Sequence, residues 1–183
     1  TALTSCPDLV PPGSPPFCSL VTNAGRADIF GVETEVTIEP IDGLLIDGAA
    51  GYIDFEYKDK GAPTVGDVAP FTPKWNASVG MQYEVDMGFA GSIIPRLDWV
   101  YRSSIFSTAE NTPITFQPGY SLFNGRVTWR SVDEDWELGL SVTNILDEEY
   151  FANLNDSYLS GFGVATGIPG RPREFRVSVT RRF

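Results

Sequence analysis

Histidine is absent from this 183-residue sequence. Its absence removes the commonest general base and the commonest metal ligand together, so Ser-His, Cys-His and imidazole–metal chemistry are all excluded. The sequence also lacks a G-x-S-x-G elbow, a phosphate-cradling Gly-rich loop and a C-x-x-C pair. Enzymatic activity is not expected, and neither is a cofactor or a metal centre. Positive charge is scarce, with 13 Lys+Arg against 24 Asp+Glu, a net charge of -11 and a pI near 4.3. Such a chain repels a phosphate backbone, which excludes nucleic acid as a partner. Long apolar runs are missing too. A spanning helix needs roughly 18–20 uninterrupted apolar residues, and "GFAGSIIPRLDWV" is broken by Pro95, Arg96 and Asp98. The opening "TALTSCPDLVPPGSPPFCSL" has neither the basic nor the apolar region of a signal peptide, so an exported chain would have its signal removed or located upstream. There are only two cysteines. Cys6 and Cys18 bracket a Pro-rich stretch, a spacing that reads as a local disulfide in an oxidising compartment, with free thiols as the alternative.

What the sequence does contain is period-two alternation, the mark of strands with one apolar and one polar face. Val32, Thr34, Val36 and Ile38 alternate with Glu33, Glu35, Thr37 and Glu39, and "IDG" then marks a turn. Ala49, Gly51, Ile53, Phe55 and Tyr57 face one way in the next segment, with Gly48, Ala50, Tyr52, Asp54 and Glu56 opposite. Trp75, Ala77, Val79, Met81, Tyr83 and Val85 then oppose Asn76, Ser78, Gly80, Gln82 and Glu84. Ile93, Leu97, Trp99 and Tyr101 oppose Arg96, Asp98 and Arg102, and Phe123, Val127 and Trp129 oppose Asn124, Arg126, Thr128 and Arg130. Trp136, Leu138, Leu140 and Val142 form a sixth rank, and Phe175, Val177 and Val179 lead to Phe183 in a seventh, broken only by Arg181.

Connectors alternate long and short along this chain, and the strands run longer than the usual five or six residues of globular sheets. A transmembrane barrel requires both, because its strands cross the bilayer at a tilt and its turns are short on one side only. Tyr57, Trp75, Trp99, Tyr101, Trp129, Trp136 and Phe183 lie near strand ends, where interfacial aromatic girdles form. The competing reading is a soluble β-sandwich burying the same apolar faces.

Four segments carry a family resemblance. "NAGRADIFGVETEV", "TPKWNASVGMQY", "WELGLSVTNILDEEY" and the terminal "PGRPREFRVSVTRRF" occur in an order similar to the C-terminal part of the barrel in TonB-dependent outer-membrane receptors. The resemblance covers everything after the Pro-rich opening. It implies an all-β fold, an antiparallel transmembrane β-barrel of ~22 strands with a plugged lumen, of which seven C-terminal strands would be present here. Residues 1–25 would form an external Pro-rich loop with the cysteine pair and residues 26–183 the strands, with plug and TonB-binding segment lying elsewhere in a longer protein. It also implies that Phe175, Val177, Val179 and Phe183 are read by the outer-membrane assembly machinery.

The expected function is TonB-coupled import of a scarce small-molecule ligand across an outer membrane, with a ferric siderophore-like chelate as the default cargo. Arg102, Arg126, Phe106, Phe116, Tyr150, Phe151, Tyr158 and Phe162 are the candidate ligand contacts, since an anionic chelate recruits Arg and sugar rings recruit aromatic faces. The alternative for Arg96, Asp98, Arg102 and Arg126 is a set of charge networks within the lumen or against the plug. A passive porin or barrel adhesin and a soluble carbohydrate-binding sandwich are the competing functions. The acidic stretches "DED" at 133–135 and "DEE" at 147–149 read as solvated turns, with Ca²⁺ binding through oxygen ligands as the alternative.

Overall fold

The computed structural model describes residues 2–5, 17–20, 25–60, 65–157 and 163–182. Two short hairpin strands, β1 (Ala2–Ser5) and β2 (Phe17–Leu20), pair across the Pro-rich opening, with Thr4 opposite Cys18. Cys6 lies outside the described residues. The long strands are β3 (Gly25–Ile41), β4 (Leu44–Lys60), β5 (Trp75–Tyr83), β7 (Ser92–Arg102), β10 (Tyr120–Arg130), β11 (Trp136–Thr143) and β14 (Glu174–Arg181). They pair antiparallel in chain order as one meander. The strand β6 (Val85–Asp86) continues the line of β5 along β7, and the pairs β8 (Ile105–Phe106) with β9 (Phe116–Gln117) and β12 (Phe151–Asp156) with β13 (Ala165–Pro169) sit inside connectors. Turns at 42–43, 84–91 and 131–135 lie at one end of the sheet, and the described parts of the three long connectors, 65–74, 103–119, 144–157 and 163–173, at the other.

The register sorts side chains into two faces. Cross-strand ranks such as Val36–Gly48–Val79–Trp99–Phe123 and Val127–Leu140–Val177 are apolar throughout. The opposite face carries Glu33, Asp47, Ser78, Arg96, Asp98, Arg126, Glu137, Ser141 and Arg176. The apolar face is bare: Leu140 is 60% exposed, Val179 62% and Val177 73%. Among the described residues only Ile94 and Ile105 are buried large apolar side chains. A soluble sandwich of this size would bury its apolar ranks against a second sheet. Here they face outward, as a barrel's do toward lipid.

Pro95 explains the break between β5 and β6. The ladder on β7 stops at Gln82↔Arg96 and resumes at Val85↔Ile93, and a residue with no N–H to donate stands in the gap. Glu84 N–H faces the other side and donates to the Gly43 carbonyl at 2.8 Å, carrying the β4–β5 ladder one pair further into the turn.

The hairpin β3–β4 outgrows its neighbours. Its ladder runs up to Gly25↔Lys60, whereas β5 covers β4 only as far as Tyr52↔Trp75. Beyond that level the pattern inverts. Ile53, Phe55 and Tyr57 belong to the inward phase, while Asp54 and Glu56 point outward, with Lys74 3.1 Å from Asp54 and Lys58 3.8 Å from Asp28. The outer surface meets water there, so charge replaces hydrocarbon. Tyr57 is therefore not part of the girdle, where the stretch instead supplies Tyr52, its ring 4.7 Å from that of Trp75.

On β14, Phe175, Val177 and Val179 line the outward phase; Phe183 lies outside the described residues. Arg181, the exception in that rank, sits 5.0 Å from the Trp136 ring centroid, a cation–π contact that seats a charge beside an interfacial aromatic.

Val79→Arg or Leu140→Arg, on the outward phase, should each cost roughly 2–4 kcal/mol near the bilayer midplane, and Ser78→Arg or Ser141→Arg, on the inward phase, much less. Urea-driven unfolding of the full-length protein from lipid bilayers measures the difference, and equal costs in both phases would contradict the two-face assignment.

Candidate functional site

On the inward face, toward the long connectors, a cleft of about 640 Å³ opens between strands β3 and β10. Small residues make its floor, Ala49 and Gly51 on β4 and Ser78 on β5, and longer side chains make its walls, Glu33 and Glu35 on one side and Arg102 and Tyr120 on the other. Alternation dictates this layout, since each of these residues belongs to the inward phase of its strand. A larger groove of about 800 Å³ lies among outward residues such as Leu97, Val127 and Leu140; it is part of the lipid-facing surface.

The lumenal arginines divide into paired and unpaired. Arg96 binds Asp47 at 2.8 Å and Asp98 at 2.6 Å, reaching across Gly80, where a Cβ would stand 2.2 Å from its guanidinium. Arg126 donates to Glu137 at 3.1 Å and to the Thr128 hydroxyl at 2.9 Å, and Arg182 approaches the same Glu137 at 3.8 Å. These are charge networks linking strands across the wall. Arg102 differs. It makes no ion pair among the described residues, and its Nε is buried without a hydrogen-bond partner; Arg130 Nε is buried likewise, but its guanidinium has Glu84 at 3.9 Å. A buried donor left unmet is uncommon and costs free energy, so it marks a position to be explained by function.

Of the aromatic candidates, Tyr150 stacks on Tyr120 with ring centroids 4.3 Å apart, and Tyr120 is the cross-strand partner of Arg102. That trio is brought together at the cleft. Phe106 and Phe116 form a separate pair across β8–β9, 5.2 Å apart, and Phe151 is tied nearby through its N–H to Gln117 Oε1 at 2.9 Å. Arg126 sits lower in the wall, opposite Arg96. Tyr158 and Phe162 lie outside the described residues. Among the described residues no group of three or more carboxylates or cysteines is placed to hold a metal ion.

The connectors are interlocked above the cleft. Asn111 Nδ2 donates to the Val68 carbonyl at 3.1 Å while its Oδ1 accepts the Val68 N–H at 3.0 Å, joining the first connector to the second. Ser107 Oγ accepts the Leu154 N–H at 3.2 Å and Thr112 donates to Asp156 at 2.8 Å, joining the second to the third. Asn144, 4% exposed, anchors the third connector at both ends. Its amide donates to the carbonyls of Glu148 and Arg171, its Oδ1 accepts the Glu148 N–H, and its own N–H donates to Asn124 Oδ1 at 3.0 Å. Sequence reasoning did not single out Asn144 or Asn111. Both adopt positive φ, 51° and 50°, a conformation Asn tolerates better than most residues, which is the signal that could have flagged them.

An open wall of long antiparallel strands, apolar on one face, charged on the other and capped by interlocked connectors at one end, defines the class as a transmembrane β-barrel. Residues 2–145 match the family described as "TonB dependent receptor-like, beta-barrel". The fold is shared with the ferric yersiniabactin uptake receptor FyuA from Yersinia pestis (TM-score 0.78, 22% identity, covering 88% of this chain and 24% of that one). It is shared as well with the ferric citrate transporter FecA in its unliganded form (0.69, 24% identity, 87% and 25%) and with BauA, the ferric preacinetobactin receptor from Acinetobacter baumannii (0.66, 22% identity, 97% and 25%). The chain belongs to the TonB-dependent receptor β-barrel family. It spans about a quarter of the length of these structures. The family is one of outer-membrane receptors and transporters, and in bacterial barrels the short turns are periplasmic and the long loops extracellular.

Asn144→Ala should destabilise the third connector by about 1–3 kcal/mol, the cost of leaving buried backbone groups unpaired. Hydrogen exchange should rise at Glu148 and around residues 170–173 and stay unchanged at the short turns; protection unaltered near both would show that the amide is not the anchor.

Proposed function

We propose that this chain supplies part of the wall of an outer-membrane receptor that captures an anionic ferric chelate at the extracellular side of its lumen and imports it with TonB-coupled energy. The observation that carries this reading is Arg102, a guanidinium without a counter-ion among the described residues, facing a cleft beside two stacked tyrosines. A carboxylate or hydroxamate oxygen of a chelate would complete its hydrogen bonds, and a charge-assisted bond of that kind is among the stronger polar contacts. The similarity to ferric-chelate receptors supports the choice of cargo. The paired arginines Arg96 and Arg126 hold the wall, and Phe106, Phe116 and Phe151 shape the connector layer above the cleft. A plug domain, TonB and the outer-membrane assembly machinery are the partners this function requires, the last reading the β14 rank of Phe175, Val177 and Val179.

The full-length receptor, returned to cells lacking it under iron limitation, should restore uptake of a ⁵⁵Fe-labelled carboxylate or hydroxamate siderophore, and only when TonB is present. Arg102→Ala should weaken binding of that chelate about tenfold or more, the loss of one charge-assisted hydrogen bond worth ~1.5–3 kcal/mol. Uptake independent of TonB would point to a passive porin, and unchanged affinity in the variant would remove Arg102 from the site.

We propose in addition that Cys6 and Cys18 form a disulfide that orders the external hairpin β1–β2. Peptide mapping of non-reduced protein from the cell envelope should find the two joined; two alkylatable thiols would refute it.

A further inference from the structure

The turn between β6 and β7 presents a side chain that transport does not use. Phe89 is 100% exposed, at the middle of the 3₁₀ turn Gly88–Ala90. The turn itself is tightly built. Asp86 accepts the Gly88 N–H at 2.7 Å, the Met87 N–H donates to Gly91 O at 2.8 Å and the Gly91 N–H to Gly88 O at 3.0 Å. Gly88 and Gly91 have φ of 61° and 84°, and a Cβ on Gly91 would stand 2.0 Å from the Arg130 carbonyl oxygen. Glycine is therefore required for the turn to lie flush against the end of β10.

A second contact fixes which side of the wall the turn occupies. Trp129 Nε1 donates to the Ala90 carbonyl at 2.8 Å, and Trp129 is on the outward phase, paired with Ile93. The turn thus sits on the lipid-side rim at the short-turn end. Residues 87–91, Met-Gly-Phe-Ala-Gly, carry no charge. The adjacent turn at 131–135 is its opposite. Val132 is also exposed, at 64%, yet it is followed by Asp133, Glu134 and Asp135. A hydrogen bond from the Ser131 hydroxyl, assisted by the Asp135 N–H, holds the Asp133 carboxyl below its ordinary range, so that turn stays anionic and hydrated.

We infer that Phe89 is a lipid anchor, inserted at the boundary of headgroups and acyl chains in the inner, phospholipid leaflet. An aromatic ring next in the chain to Ala90, whose carbonyl an outward Trp holds, on a turn with no charged side chain of its own, has its favourable environment there and not in water. Val132 offers comparable apolar exposure without insertion, because its neighbours would carry charge into the interface. The anchor would set the height of the β5–β7 hairpin in the bilayer. It is independent of which ligand the receptor imports.

The test uses the full-length receptor with its native cysteines replaced by serine, in nanodiscs of phosphatidylethanolamine and phosphatidylglycerol. Phe89→Cys and Val132→Cys are labelled separately with an NBD fluorophore, and lipid spin-labelled near the headgroup serves as quencher. Heat-modifiable gel mobility confirms that each variant is folded, as expected for two exposed side chains on turns. The label at position 89 should be blue-shifted and lose most of its emission to the spin-labelled lipid, while the label at 132 keeps the emission of an aqueous probe. An aqueous, unquenched signal at 89 would overturn the inference. So would equal quenching at both positions, which would show the dye and not the turn seeking lipid.

Discussion

Every backbone N–H and C=O that crosses a bilayer must find its partner within the protein, because hydrocarbon offers none. Between β3 and β14 that constraint is met by the ladders from strand to strand, and the rest of the architecture follows from it. Strands long enough to cross cannot stop midway, so β7 and β10 keep pairing for eleven residues each. Where Pro95 withholds a donor, the ladder on β7 divides into β5 and β6, while the β4 side of β5 stays paired as far as Glu84 and Gly43. With the backbone paired edge to edge, side chains are left two destinations only, and the period of two assigns them alternately to lipid and to lumen.

The lumenal face then has a problem of its own, since arginines on neighbouring strands fall opposite one another, as Arg96 and Arg126 do. Carboxylates on strands further round the wall resolve it: Asp47 is reached across Gly80, and Glu137 serves both Arg126 and Arg182. Arg102, nearer the connectors, is left out of this neutralisation. The result is a gradient along the lumen, from internally compensated charge at the short-turn end to a cation that no described carboxylate pairs, beside stacked aromatic rings, at the other.

The strands were legible because alternation is a local signal: β5, β10, β11 and β14 follow from Val79, Val127, Leu140 and Val177 with their polar neighbours. Periodicity states which residues share a face, however, and not which medium that face meets. Ile53, Phe55 and Tyr57 therefore could not be recognised as inward from sequence, since the reversal of polarity along β4 depends on where the bilayer ends. The cleft was half legible. Arg102 and Tyr150 could be nominated as types suited to a chelate, but Tyr150 is held where it meets Tyr120 by a third connector tied back on itself, through Asn144 and through the Gly170 N–H to the Tyr150 carbonyl, and such contacts leave no periodic trace. The acidic residues Glu33 and Glu35 were visible as a polar phase, while their place opposite Arg102 is a product of sheet curvature.

The mutual locking of the three connectors bears on how such a receptor changes its specificity. Asn111 fits the backbone of Val68, Ser107 fits that of Leu154, and Gln117 fits that of Phe151. These contacts read main-chain position, so the side chains of Val68, Leu154 and Phe151 can vary, while Asn111, Ser107, Gln117 and the paths of the connectors cannot. Diversification of this surface should therefore proceed by substitution within a fixed frame. A connector transplanted alone from another receptor would arrive without its counterparts, and the three are exchangeable only as a set.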